Sequence, residues 1–171
     1  MNMIQARFFI STIPTILLIG MIILSTSCAT RKESGAADSR VESLVESRNF
    51  KFDAQFATPM GGRQIQITGP YDLMISGKTL TVHLPYFGVA YRAPIGADEP
   101  GIKFSSTDFT YTVSERKSGW NIRITPQDQQ EVRALNLRIG SSGIATLQVT
   151  SNYRQSISYS GKVVPADEKT W

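Results

Sequence analysis

The chain has 171 residues, of which 41% are hydrophobic and 19% charged, with Phe, Tyr and Trp spread along its length; that is one ordinary domain plus a short appendage, not a disordered polymer. Its one Cys excludes an internal disulfide and any paired-Cys zinc or redox site. The formal charge of +4 is scattered, with Arg31-Lys32 and Arg116-Lys117 the only adjacent basic pairs, so the pattern is not that of a nucleic-acid-binding face.

In chain order, Arg7 precedes an apolar run from Phe8 to Leu24, and Ser25, Thr26, Ser27 and Cys28 follow. A positive residue, an apolar stretch and then small residues form the layout of an export signal. The run is at the short limit for a membrane span and Pro14 interrupts it, so cleavage is favoured over retention as an anchor. The small residues ahead of Cys28 resemble a bacterial lipobox in the relaxed form of Bacteroidota lipoproteins, with Leu24 four positions before the Cys instead of three. That resemblance implies cleavage before Cys28, a thioether-linked diacylglycerol on its thiol, and a palmitate-type acyl chain on its new α-amino group. Several acyl chains on one residue anchor firmly, since each buried methylene contributes about 0.8 kcal/mol. The expectations are therefore a signal peptide over residues 1–27, lipid attachment at Cys28, and a place in the cell envelope, at the outer membrane. Removing residues 1–27 takes away Arg7 and no acid, leaving a mature charge of +3.

Residues 28–39 are small and polar and read as a flexible tether behind the acylated Cys. Val41, Leu44 and Val45 then fall at helical spacing, which predicts a short amphipathic helix between Asp38 and Arg48. From Asn49 the period changes to two. Phe50, Phe52, Ala54 and Phe56 alternate with Lys51, Asp53 and Gln55, which predicts a strand with one buried face. The same alternation recurs in runs centred on Ile65, Leu73, Val82, Tyr111, Ile122, Leu137, Leu147 and Tyr159, separated by turn signals such as Ser76-Gly77, Lys117-Ser118-Gly119 and Gly140–Gly143. Gly69-Pro70 bends one strand or splits it in two.

Short strands joined by tight turns predict an all-β fold: an antiparallel meander closing into a lipocalin-like barrel of about eight strands, occupying residues 40–171 with the leading helix. Such a barrel either fills with side chains or holds one small ligand. His83 has the parity of Thr79 and Thr81 and is expected on the outer face.

Alternation lapses between Leu84 and Gly101, where aromatic residues crowd against Pro and Gly. The block Leu84-Pro85-Tyr86-Phe87-Gly88-Val89-Ala90-Tyr91, with Gly101-Ile102-Lys103-Phe104, Trp120-Asn121-Ile122 and Arg154-Gln155-Ser156-Ile157-Ser158-Tyr159-Ser160-Gly161, resembles the family of domain of unknown function 4251. The resemblance covers roughly Phe50 to Val164 and implies a small Bacteroidota lipoprotein with a lipocalin-like barrel. It brings no catalytic residues. Read from the residues themselves, Tyr86, Phe87, Tyr91 and Arg92 form either an aromatic rim for an apolar or amphipathic ligand, with Arg92 for a carboxylate or phosphate, or a plug at one barrel end. No GxSxG, HExxH or P-loop pattern is present. The expectation is a protein without catalytic residues, metal or cofactor, held to the membrane through its lipid. One reading is a carrier of a small apolar ligand; the alternative is an accessory envelope protein with a filled barrel that docks on another envelope component.

Overall fold

The period-two alternation from Asn49 onward builds one antiparallel sheet behind a helix, as seen in a computed structural model that describes residues 33–91 and 101–167. Helix α1 spans Glu33–Ser47 and is followed by β1 (Asn49–Pro59), β2 (Ile65–Gln66), β3 (Asp72–Ser76), β4 (Thr79–Pro85) and β5 (Gly101–Ser106). The second half contributes β6 (Phe109–Arg116), β7 (Gly119–Pro126), β8 (Val132–Gly140), β9 (Ile144–Ser151) and β10 (Ile157–Pro165). The signal segment, Cys28 and Arg92 lie outside the described residues. Glu33–Ser39, assigned to the tether on polarity, belong to α1; Ala36 and Ala37 have strong helix propensity, and the buried Val41 and Val45 downstream give the helix a packed face to extend from.

The strand order is β5-β4-β3-β1-β10-β9-β8-β7-β6, with β2 paired to β1 at the side. Every neighbour in the path is a chain neighbour except β1 and β10, with β2 set aside, and every pair is antiparallel, so this is an up-and-down meander curled into a barrel-like form. The two ends of the path, β5 and β6, run in the same sense and are joined by Thr107-Asp108 alone. They therefore make one bent strand whose first half pairs with β4 and second half with β7. At the bend, Ser106 Oγ donates to Asp108 O at 3.1 Å, and Gln127 N donates to the same carbonyl at 2.8 Å. Counted this way, eight strands run around the curl.

Inward alternation fills the centre. Phe50, Phe52, Leu73, Leu80, Leu135 and Tyr159 are all fully buried, and Val41 and Val45 of α1 join the same cluster. Two expectations on β1 need correction. Phe56 is not part of the core, because a bulge between Ala54 and Phe56 inserts Gln55 and flips the parity, bringing Ala57 to complete burial. Lys51 and Asp53 face outward as expected yet are only 8% exposed, because β1 is central and its neighbours on β3 and β10 close over them. Asp53 lies opposite Lys162, and burial raises the carboxyl pKa of the adjacent Asp72, an effect that Lys51 and His83 partly counter. His83 is on that outer face, its ring tilted against that of Tyr71 with centroids 4.9 Å apart and planes at 49°. Gly69-Pro70 splits the predicted run into β2 and β3. Strand β5 is an element the periodicity missed: its inward and outward positions alternate, but Ile102 and Phe104 are its only apolar residues before Ser105-Ser106.

Candidate functional site

The expected aromatic rim is built by the segment after β4. Tyr86 turns its ring under the chain, and its hydroxyl lies 2.9 Å from Val89 O and 3.1 Å from Gln155 O, two carbonyls between which one O–H donor is shared. Arg154 stacks its guanidinium on the Tyr86 ring at 4.9 Å, and its Nε meets Glu131 Oε1 at 2.7 Å. Below them Tyr159 Oη donates to Pro85 O at 2.7 Å. Val89–Tyr91 is laced to Tyr153–Gln155 by Tyr91 N to Tyr153 O (2.8 Å), by Gln155 N to Val89 O (3.1 Å), and by an Ala90–Arg154 bridge. Desolvation raises the pKa values of Tyr86 and Tyr159, keeping both phenols neutral donors. Tyr86 is thus tied into the end of the curl, whereas Phe87 and Tyr91 point outward at 38% and 68% exposure. Arg154, within the Arg154-Gln155-Ser156 stretch, is a site residue that sequence reasoning passed over; a basic residue just before an apolar alternation was its only signal.

A groove lies elsewhere. Helix α1 runs beside the inner face of β6, and between them is a groove of about 470 Å3 lined by Val45, Glu46, Arg48, Tyr111, Val113 and Trp120. The helix is fixed there by its C-terminus. Arg48 takes a left-handed φ of 51°, which stops the helix and lays its guanidinium 4.6 Å over the Tyr111 ring, while Tyr111 Oη donates to Val45 O at 3.3 Å. Val113, which shares inward parity with Tyr111 at the centre of the predicted run, is 39% exposed because it opens on this groove.

The backbone of β6 adds a second property. Arg116 and Gly119 flank a two-residue turn and so form a hydrogen-bonded pair, and such pairs recur at Ser114–Asn121, Thr112–Arg123 and Thr110–Thr125. The N–H and C=O groups of Tyr111, Val113 and Glu115 therefore point away from β7, on the side of β6 where no strand is paired among the described residues. The groove and this edge together present three donor–acceptor pairs beside the side chains of Val45, Val113 and Trp120, the features that strand addition uses.

Burial lifts the Tyr111 phenol to about 12, against some relief from Arg48. Its folded pKa is above its unfolded value of about 10, so its contribution to stability is complete below pH 10 and is lost as pH rises toward 12. Thermal unfolding followed from pH 9 to pH 12 is expected to show a smaller alkaline drop in Tm for Tyr111→Phe than for the unaltered chain; equal drops would show that the phenol is not held in this environment.

Comparison with known proteins gives three findings. The chain matches the family model "Domain of unknown function (DUF4251)" over residues 32–163. It resembles the crystal structure of a DUF4251 family protein from Bacteroides eggerthii, with a TM-score of 0.57 and 14% identity, over 81% of this chain and 100% of that one; at this identity the likeness is one of fold. No curated protein matches the chain.

Proposed function

The chain belongs to the family of domain of unknown function DUF4251, and from that membership and the geometry above we propose that it is a non-catalytic accessory protein of the cell envelope, lipid-anchored through Cys28, whose filled barrel docks an extended segment of a partner protein along the open edge of β6. The observation that carries this reading is a buried inward cluster together with a strand edge that is unpaired among the described residues and lies beside a groove. Against the carrier alternative, which needs room inside, the inward Phe, Leu, Ile and Tyr side chains form one buried cluster and Tyr86 and Arg154 pack across one end, which supports the accessory reading. The anchoring and envelope location rest on Arg7, the apolar run from Phe8 to Leu24, and Cys28.

An added strand would exchange hydrogen bonds with Tyr111, Val113 and Glu115 and place alternate side chains over Val45 and Trp120. Glu46, Arg48 and Glu115 line the same groove and favour a partner segment that carries complementary charges. Val113→Pro is the informative variant: it removes an edge donor that β7 does not use, and Pro is tolerated on strands whose N–H faces outward. Panning the full chain in non-ionic detergent against a displayed heptapeptide library is expected to enrich alternating apolar sequences. Their affinity should fall by about tenfold for Val113→Pro, as expected for loss of one backbone hydrogen bond plus displacement of its neighbours, while the melting temperature stays within a few degrees. Enriched peptides that bind Val113→Pro equally well, or a chain that enriches none, would overturn the proposal.

A further inference from the structure

We propose that the outer face of β6, β7 and β8 carries a binding site for an acidic glycan, one bearing sulfate, phosphate or carboxylate groups. This site is on the opposite face of the sheet from the α1 groove and stands independently of the strand-docking reading. Cross-strand pairing assembles it: Thr112 lies opposite Arg123, Arg123 opposite Asn136, Ser114 opposite Asn121, and Asn121 opposite Arg138. These six side chains line a depression of about 270 Å3. Arg123 and Arg138 are exposed, stand on neighbouring strands, and have no ion-pair partner among the described residues. Like charges this close on a sheet repel each other, and an oxyanion between them relieves that repulsion. No outward strand position from β6 to β9 is acidic; the face continues as Thr146 and Gln148 on β9.

The donor set selects the ligand. Guanidinium groups offer paired N–H donors that match sulfate, phosphate and carboxylate. Asn121, with its carbonyl oxygen turned to Arg116, accepts from Nε and Nη2 at 2.9 Å each, which orients the amide and turns its N–H2 away from Arg116. Asn136, Thr112 and Ser114 add amide and hydroxyl groups of the kind that hydrogen-bond sugar hydroxyls. A membrane surface is the other polyanion in an envelope, but the lining supplies no exposed apolar side chain to enter a bilayer interface.

The test uses the full chain in non-ionic detergent with immobilised dextran sulfate as probe and uncharged dextran as control, at about 150 mM salt, where charges further apart than a Debye length are screened. Binding to dextran sulfate alone is expected, and Arg123→Gln with Arg138→Gln should weaken it by about tenfold with the melting temperature unchanged. The double variant Arg63→Gln with Lys78→Gln removes the same charge from exposed positions elsewhere and should weaken binding by less than about twofold. Equal losses for the two doubles would mean attraction to net charge only and overturn the site. Binding to phosphatidic-acid vesicles in preference to dextran sulfate would overturn it in favour of a membrane.

Discussion

Replacing Gly161 with Ala is expected to destabilise the protein by about 3 kcal/mol, at the upper end of what overpacking does, measured as a shift in the urea midpoint with the slope unchanged. Gly161 lies on β10 opposite Ala54, next to the bulge that inserts Gln55 into β1. A Cβ there would overlap the carbonyl oxygen of Asp53 and come within 2.9 Å of its carbonyl carbon and 3.3 Å of Ala54 Cα. Those atoms are backbone in a central strand and cannot rotate aside, so β1 and β10 would have to separate at the pair that joins the two halves of the sheet. Gly77, at φ 59° with nothing within 4 Å of the place a Cβ would take, is the contrast: Gly77→Ala meets only the left-handed backbone penalty, about 1 kcal/mol. Similar losses at the two positions would show that close approach at the bulge is not what the fold depends on.

Glu131→Ala is expected to be nearly as severe, at about 3 kcal/mol, because it leaves the guanidinium of Arg154 in place with its carboxylate gone. Arg154 is 5% exposed, and its Nε and Glu131 Oε1 are buried atoms that meet only each other. Removing both charges together avoids the stranded cation, so Glu131→Ala with Arg154→Leu should recover more than half of the loss. Phe87→Ala, on the same segment but exposed, should change stability by less than about 0.5 kcal/mol. A Glu131→Ala variant that melts with the unaltered chain would mean that the ion pair does not hold Tyr86 across the barrel end.

The all-β class, the helix at Val41–Val45 and the winding order were legible because they follow from local periodicity and short turns. Parity was legible only until the first irregularity: Gln55 carries no sign that it is an inserted residue, so everything after it on β1 changes face. Strand β5 was hidden because its apolar alternation is only Ile102 and Phe104 long and its next inward position is the polar Ser106. Lys51 and Asp53 read as solvated from their chemistry, and only the position of β1 between β3 and β10 covers them.

The sites were less legible than the fold for a related reason. The aromatic cluster around Tyr86 was visible, but whether its rings point in or out depends on Arg154 and Glu131, which are 68 and 45 positions further along the chain. The α1 groove combines Val45 and Arg48 with Val113 and Trp120, and no window of sequence contains both sets. Arg123 and Arg138 can be set on neighbouring strands from parity, but the depression around them exists only once β6, β7 and β8 are paired in register.

The pairing of β1 with β10 also dictates the order in which the molecule can be made. A strand that begins at Asn49 has as one of its two long neighbours a strand that begins at Ile157, so the curl cannot be assembled progressively as the chain emerges. Contacts that far apart in sequence make for slow folding, because the loop entropy is spent before the contact forms. Until the last strand arrives, β3, β4 and β5 can gather on one flank of β1, but its other edge, with Phe50 and Phe52 beside it, has nothing to pair with. Partly synthesised chains should therefore be the most aggregation-prone species this sequence passes through, and any carboxy-terminal truncation reaching Tyr159 should yield no folded product at all.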